Sequence, residues 1–236
     1  MWLIAGKKEQ ESGSVFILLS LDYLHNFQTI YGVNMHKTIN PKILYFGTPV
    51  VLISTLNEDG SANLAPMSSV WWLDQSCMLG LGSRSKTVEN LLRERECVLN
   101  LPPATLVGAV DRLALTTGKN PVPEYKRKMN FQYIPDKFSH AGLTAVMSQS
   151  VRPPRVAECT VQLEAIAEKF HQFGPPDDFS MAIEVRIVKV HIDDSILSSE
   201  KRHYIDADKW NPLIMSFCEF YGLGKNLHPS RLAKVF

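Results

Sequence analysis

The sequence lacks the features that mark several common classes of protein. Its four cysteines, Cys77, Cys97, Cys159 and Cys218, show no C-x-x-C spacing, which favours reduced thiols over a disulfide framework or a zinc site. The formal net charge is only +1, so the composition indicates no nucleic-acid-binding surface. No apolar run approaches the ~20 residues that a membrane-spanning helix needs. We therefore expect a cytoplasmic protein that binds neither nucleic acid nor a membrane.

Patterns that ligate metals are missing as well. The chain has seven histidines, and none is paired with Asp or Glu at the spacing of a helical metal site. We therefore predict no metal site and interpret the histidines as structural or surface residues.

Nucleotide-binding motifs are present only in fragments. The stretch GLGSRSKT, residues 80–87, follows an apolar run and opens into VENLLRERE, which has the pattern of a helix. A P-loop requires glycine immediately before Lys-Thr, and the motif G-x-G-x-x-G requires a third glycine. Ser85 occupies both places. The loop therefore matches neither a triphosphate site nor a dinucleotide site.

The same loop has the chemistry of a site for a smaller anion. Hydroxyl donors come from Ser83, Ser85 and Thr87, and the first amides of the following helix point the same way. Positive charge comes from Arg84 and Lys86. A phosphomonoester, with nearly two negative charges, would be satisfied here. The alternative is a solvated helix start, the commoner role of an isolated Arg-x-Lys.

A strand of small and hydroxyl-bearing residues precedes this loop. The stretch NLAPMSSVWW, residues 63–72, is interrupted by Pro66 and offers the hydroxyls of Ser68 and Ser69. Such a strand suits hydrogen bonding to the polar edge of a planar heterocycle. The alternatives are an ordinary edge strand with a proline and, for Trp71 and Trp72, packing in the core or at a subunit interface.

The order of predicted elements favours a mainly β protein. Strands are mostly consecutive, and the helices are few, so the pattern is not that of a series of β-α-β units. Along the last long strand the apolar positions change from odd to even after Ile187, which predicts a β-bulge that bends the sheet toward closure. We predict a β-barrel with peripheral helices. The predicted strands are 50–55, 61–69, 76–82, 97–101, 161–167 and 179–192, and the predicted helices are 86–96, 104–115, 124–129 and 210–221.

Three segments resemble one family. STLNEDGSANLAPMSS, GLGSRSKTVENL and ECVLNLP are similar to sequences of the flavin reductase-like family, whose members form an FMN-binding split β-barrel of the Greek-key type. The similarity runs from about Ile43 to Leu197. It implies a homodimer with one FMN per subunit near the dimer interface.

The resemblance also assigns cofactor-binding residues. It implies that the FMN phosphate lies on the loop and that Asn90 reaches the phosphate side. The preceding strand would line the isoalloxazine ring and the ribityl chain. The residues concerned are Asn63, Ala65, Pro66, Ser68 and Ser69 on the strand, and Ser83, Arg84, Ser85, Lys86, Thr87 and Asn90 in and after the loop.

The chain is divided into three parts on these grounds. Residues 1–34 are interpreted as an N-terminal appendage, residues 35–200 as the split-barrel domain, and residues 201–236 as a C-terminal helical extension. For residues 1–34 the alternative is an extra helix or strand packed on the barrel.

The implied function is an oxidoreductase that transfers hydride from NAD(P)H to bound FMN and then passes electrons to an acceptor. No catalytic side chain is singled out, because the flavin carries the chemistry of the hydride step. Two alternatives are open: a non-catalytic FMN-binding or electron-carrier protein, and a barrel that has lost its ligand. Retention of Arg84, Lys86 and Thr87 argues against the second alternative.

Overall fold

Short strands and one large antiparallel sheet make up most of the regular secondary structure of the described residues. The computed structural model describes residues 36–175 and 177–234, and the barrel unit begins at Leu44. The strands are β1 (Phe46–Pro49), β2 (Val51–Leu56), β3 (Ala62–Met67), β4 (Val70–Leu73), β5 (Ser76–Gly82), β6 (Glu96–Leu101), β7 (Thr116–Thr117), β8 (Gln132–Tyr133), β9 (Ala145–Val146), β10 (Arg155–Val156), β11 (Val161–Phe173), β12 (Ser180–Ile192), β13 (Ile214–Ser216) and β14 (Glu219–Tyr221).

The helices of the described residues are short and lie between strands. They are α1 (Lys86–Glu94), α2 (Val107–Leu113), α3 (Glu124–Arg127) and α4 (Lys137–Ala141), with 3-10 turns at Ala104–Leu106, Asp194–Ile196 and Arg231–Lys234. Within residues 36–175 and 177–234, no helix is long and apolar enough to cross a membrane.

The main sheet has seven strands in the order β3-β2-β6-β11-β12-β5-β4, and every pair is antiparallel. Its two edge strands, β3 and β4, follow each other in the chain and are joined only by Ser68 and Ser69. Two edges joined by two residues must lie close together, so the sheet curls into a barrel. The predicted class, a mainly β split barrel with peripheral helices, is confirmed.

The predicted β-bulge in the last long strand is confirmed. Glu164 on β11 pairs with Lys189 on β12, but the next residue, Ala165, pairs with Ile187. Val188 is therefore the extra residue, at the place where the apolar positions change from odd to even. A bulge increases local twist and bends the strand, which brings the sheet toward closure.

Strand β2 has a hydrophobic cluster on each of its faces. Val51 and Ile53 pack in the first cluster with residues of β5, β6, β11 and β12, whereas Val50, which precedes β2, and Leu52 pack in the second with residues of α2 and α4. Alternate side chains of a strand point to opposite faces. One face of β2 therefore lies in the barrel interior, and the helices must cover the other. This packing fixes α4 against the outside of β3.

The predicted helix over 210–221 is wrong. The segment instead forms the hairpin β13–β14, and β13 also pairs with β1. Phe217 and Cys218, between the two strands, have φ of 47° and 65°, as the two central residues of a type I′ hairpin turn require. Neither residue is a usual choice for such a turn, and the spacing of Leu213, Ile214 and Phe217 imitates a helix face.

Smaller differences concern the bounds of elements. The predicted helix 104–115 is a 3-10 turn followed by the shorter α2, and β4 was absent from the sequence prediction.

The expected appendage at residues 1–34 lies outside the described residues, and the boundaries of the three predicted parts stay predictions.

Three of the four cysteines are buried. Cys77, Cys97 and Cys159 lie in the hydrophobic clusters, whereas Cys218 is exposed in the β13–β14 turn. Burial raises the pKa of the Cys77 and Cys97 thiols to about 12. These two side chains act as small apolar residues, because the thiolate is the reactive form.

Candidate functional site

Helix α1 begins at the loop that the sequence singles out. Ser85 is its N-cap residue, and the Ser85 hydroxyl accepts a hydrogen bond from the Val88 amide at 3.2 Å. Its own amide donates to the Gly82 carbonyl at 2.9 Å, which closes the turn after β5. The loop therefore holds a regular helix start whose remaining amides face outward from the helix.

A cavity of about 220 Å³ lies between this helix start and strand β3. Six of the eleven predicted cofactor-binding residues line it: Asn63, Ala65, Pro66, Ser85, Lys86 and Thr87. The structure thus brings the strand and the loop, separated by about twenty residues in sequence, to one place. Its wall includes apolar side chains from Met67, Leu81 and Leu113, and hydroxyls from Thr116 and Thr117.

Asn63, which lines this cavity, has a buried acceptor atom without a partner. The residue is 2% exposed, and its amide nitrogen lies 3.4 Å from Thr55 Oγ1 and 3.3 Å from Thr87 Oγ1. Its Oδ1 atom has no hydrogen-bond partner in the described residues. A buried polar atom without a partner is costly, so a ligand that donates a hydrogen bond to Oδ1 would satisfy it.

A second, more open cavity of about 460 Å³ adjoins the first. Asn63, Lys86 and Gly118 line both cavities, and the second also carries carboxylates from Glu58, Asp59 and Asp136. Lys86 lies on the border, with its Nζ 2.7 Å from Glu58 and 3.7 Å from Glu89. Its positive charge is therefore already partly balanced by two carboxylates.

Gly118 lines both cavities, and the lack of a side chain lets its backbone lie close to Asn63 and Lys86. A Cβ atom at this position would lie 2.6 Å from Asn63 Oδ1 and 3.1 Å from Lys86 Cγ. No alanine fits without displacing one of these side chains.

Ser83 and Arg84 lie outside both cavities. The Ser83 amide donates to the Phe179 carbonyl at 2.7 Å, and the Arg84 guanidinium stacks over the Phe179 ring, 3.3 Å from its centroid. The loop between β11 and β12, which carries Phe179, therefore occupies the outer side of the helix start.

Ser68 and Ser69 form the short connection from β3 to β4. Ser68 is buried, and the Ser69 hydroxyl lies 2.7 Å from the Tyr45 hydroxyl. The Gly80 amide donates to the Ser69 carbonyl at 2.7 Å, and a Cβ atom on Gly80 would meet Ser69 Cβ at 2.8 Å. Gly80 is thus required by the approach of a protein strand, not by the approach of a ligand.

Asn90 is buried and has partners. Its amide nitrogen donates to Thr55 Oγ1 and to Asn57 Oδ1, each at 3.0 Å, and its Oδ1 accepts from Arg93 at 3.3 Å. Asn90 therefore ties α1 to the end of β2, the strand paired with β3. It can position the cavity wall without touching a ligand.

The residues that sequence reasoning missed are two lysines from the segment after β7. Lys126 and Lys137 line the 220 Å³ cavity together with Phe131. Burial and, to a smaller extent, the charge of Lys126 lower the pKa of Lys137 to about 8. The sequence carried one usable signal: Lys137 directly precedes Phe138, which together with Ala141 marks the buried side of a short helix.

Comparison with known proteins assigns the family. A family model described as the flavin reductase-like domain matches residues 43–220. The uncharacterised protein YdfE of Bacillus subtilis (strain 168) is 41% identical over 192 residues, which cover 81% of this chain and 91% of that protein. The chain therefore belongs to the flavin reductase-like family, a family of flavin-related oxidoreductases, and the resemblance stated from the three segments is confirmed.

Solved structures show the same fold. Flavoredoxin of Desulfovibrio vulgaris (Miyazaki F) matches with a TM-score of 0.68 at 22% identity, over 85% of this chain and 100% of that chain. Nitrilotriacetate monooxygenase component B from Bacillus cereus matches with a TM-score of 0.66 at 18% identity, over 84% of this chain and 100% of that chain.

Proposed function

We propose that the chain is an FMN-dependent oxidoreductase that takes hydride from NADH or NADPH and passes the electrons to a further acceptor. The observation that carries this proposal is a cavity that presents hydroxyl and ammonium donors beside Asn63, a residue whose buried acceptor has no partner. Family membership supports a flavin as the ligand. When bound, FMN supplies the redox chemistry, and the protein binds and orients it.

The helix start is proposed to hold the phosphate of FMN. The amides at the start of α1 and the hydroxyl of Thr87 supply donors, and a helix N-terminus favours negative charge. Lys86 contributes from the border of the cavity, although Glu58 already shares its charge. Arg84 would have to leave the Phe179 ring to reach a phosphate, and Ser83 is expected to hold the loop in place.

Strand β3 is proposed to line the rest of the cofactor. Ala65 and Pro66 present small apolar surfaces against which a planar ring can lie, and Asn63 Oδ1 offers an acceptor. Ser68 and Ser69 follow β3 toward β4 and are proposed to support this lining from outside the cavity. Asn90 acts indirectly, since its bonds to Thr55 and Asn57 hold the neighbouring strand in register with α1.

No acid or base is assigned to the hydride step. Hydride transfer needs a fixed distance and orientation between donor and acceptor rather than a proton relay. The contribution of the protein is then the rigid strand–helix cleft and the apolar wall of Met67, Leu81 and Leu113.

The proposal is tested by the visible absorption spectrum of the purified protein and by anaerobic mixing with NADH or NADPH. We expect uptake of FMN with a stoichiometry of one per chain, followed by bleaching of the flavin band with either nucleotide. Uptake without bleaching would support the alternative of an electron carrier. Failure to take up FMN in a fluorescence titration would overturn the proposal.

A further inference from the structure

The 220 Å³ cavity contains two positive charges that no carboxylate of the described residues pairs with. Among residues 36–175 and 177–234, neither Lys126 nor Lys137 forms an ion pair, whereas Lys86 and Lys119 pair with Glu58 and Glu89. Lys126 Nζ lies 3.3 Å from Thr117 Oγ1 and 5.2 Å from the centroid of the Phe131 ring, which are neutral partners. Lysine is almost never fully buried unless it is paired.

The burial of Lys137 is fixed by the packing of its helix. Lys137 is the first residue of α4, which is capped by Asp136, and it is only 4% exposed. Phe138 and Ala141 of the same helix pack in the second hydrophobic cluster. Lys137 lines the cavity, and the packing of its helix leaves the side chain little access to bulk solvent.

The pKa of both amines is lowered. Burial lowers the pKa of Lys126, and the nearby charge of Lys119 lowers it further, with a smaller opposing effect of Glu89. The pKa of Lys137 falls for the same two reasons, burial and a neighbouring lysine. Two like charges that line one partly enclosed cavity are unfavourable, and an anion placed between them reverses this effect.

We propose that Lys126 and Lys137 form a clamp for a phosphomonoester dianion, facing the helix start of α1 across the cavity. This inference rests on the proposed function, because it takes the FMN phosphate as the dianion. It differs from the sequence prediction in the source of positive charge. The two cations expected from the loop, Arg84 and Lys86, are engaged by Phe179 and Glu58.

The chemistry of the cavity favours a phosphate over a carboxylate. A tetrahedral dianion has three oxygens that can accept from two ammonium groups and from hydroxyl and amide donors at once. Thr87 and Thr117 provide such hydroxyls on the same wall. A carboxylate has one charge and two oxygens, and would leave part of this donor set unused.

The experiment compares Lys126→Met and Lys137→Met with wild type in titrations of FMN and of riboflavin, which lacks the phosphate. Each variant should weaken FMN binding about 10- to 100-fold, the effect of losing one charge-assisted contact, and should leave riboflavin affinity unchanged. Lys128→Met is the matched control, because Lys128 belongs to the same segment and its side chain is 74% exposed. It should bind both ligands as wild type does.

Two results would overturn the clamp while leaving the proposed function intact. One is unchanged FMN affinity in both lysine variants. The other is an equal loss for FMN and riboflavin, which would place the lysines at the ring or in the fold. Methionine conserves the length of the stem, and melting temperatures identify a variant that has lost its structure.

A measurement with inorganic phosphate separates the clamp from the flavin. Millimolar phosphate should raise the melting temperature of the ligand-free wild type and of Lys128→Met, but not that of Lys137→Met. If wild type binds no FMN but shows this difference, the proposed function fails and the clamp stands. If phosphate raises the melting temperature of all three proteins equally, the clamp fails.

Discussion

At the scale of single residues, the structure separates side chains that reach the cavity from side chains that hold it in place. Asn63 and Thr87 reach the cavity, whereas Asn90 holds the cavity wall in place through its hydrogen bond to Thr55. All three are amides or hydroxyls near one helix start, and they are indistinguishable by type. Their roles differ because their burial and their hydrogen-bond partners differ. Residue type alone determines neither property.

Lys137 should make the stability of the ligand-free protein depend on pH. Its folded pKa of about 8 lies below the unfolded value of about 10.4. Between these values the unfolded chain binds more protons, so this residue makes stability rise with pH there. Below pH 8 its destabilising effect is fully present, amounting to roughly 3 kcal/mol. Urea unfolding at several pH values from 7 to 10 measures it.

The comparison variant for this effect is Lys137→Met, which cannot titrate. The difference in unfolding free energy between variant and wild type should shrink as pH rises from 8 to 10. A constant difference would show that the amine is solvated in the folded protein. The other charged groups near this amine or its helix are expected to contribute equally to both proteins: Lys86, Asp111, Arg112, Asp136 and His140. Lys126 is the exception, because its charge helps to lower the pKa of Lys137.

At the scale of elements, sequence patterns predicted the strands well where burial is one-sided. The change of phase at Val188 located a bulge to the residue, because alternation has a period of two and one extra residue reverses it. The 210–221 segment failed for the opposite reason. Its apolar residues pack on more than one neighbour, with Leu213 in the core and Phe217 against Phe46, so their spacing imitates a helix.

The candidate site was predictable on the side where its residues are contiguous. The strand 63–69 and the loop 83–87 could be found because each is a short run with one chemistry. Lys126 and Lys137 could not, since they come from a segment rich in Pro, Gly and charged residues whose path depends on the packing of α4. A lysine in such a segment is usually solvated, and only the tertiary structure shows that this one is not.

The prediction at the scale of elements concerns Gly118, which lines both cavities. Gly118→Ala should weaken FMN binding at least tenfold, because the new methyl group must displace Asn63 Oδ1 or the stem of Lys86. Fluorescence titration measures the affinity. Gly60→Ala is not a suitable control because Gly60 has a positive φ, whereas Gly108→Ala is suitable, since its Cβ would meet only Arg112 at 3.7 Å. Equal affinities in both variants and wild type would contradict the prediction.

At the scale of the whole molecule, exposed apolar side chains suggest an association of subunits. Trp71 and Leu73 on the edge strand β4 are 56% and 71% exposed, and Phe173 and Phe179 at the β11–β12 end are 64% and 50% exposed. Exposed apolar side chains grouped on an edge strand often mark an interface. We infer a homodimer that covers β4, although the C-terminal helix first expected to contribute does not exist.

A charge on β4 should reduce this association. Leu73→Lys is expected to shift the protein toward the monomer in light scattering across micromolar concentrations, because an unpaired charge would be buried at the interface. Leu227→Lys, at a position 98% exposed in the tail, serves as the matched control. A wild-type protein that is monomeric at all concentrations would refute the inference, as would a Leu73→Lys variant that remains dimeric.

The distribution of the cysteines has a practical consequence. With three thiols in the core and Cys218 alone in an exposed turn, the unmodified native chain has one thiol within reach of a maleimide dye. The label would lie beside the β13–β14 hairpin, outside the cavity that we assign to the cofactor. Its emission could then report on assembly of subunits without an engineered cysteine, and reaction of further thiols would mark the point at which the barrel opens.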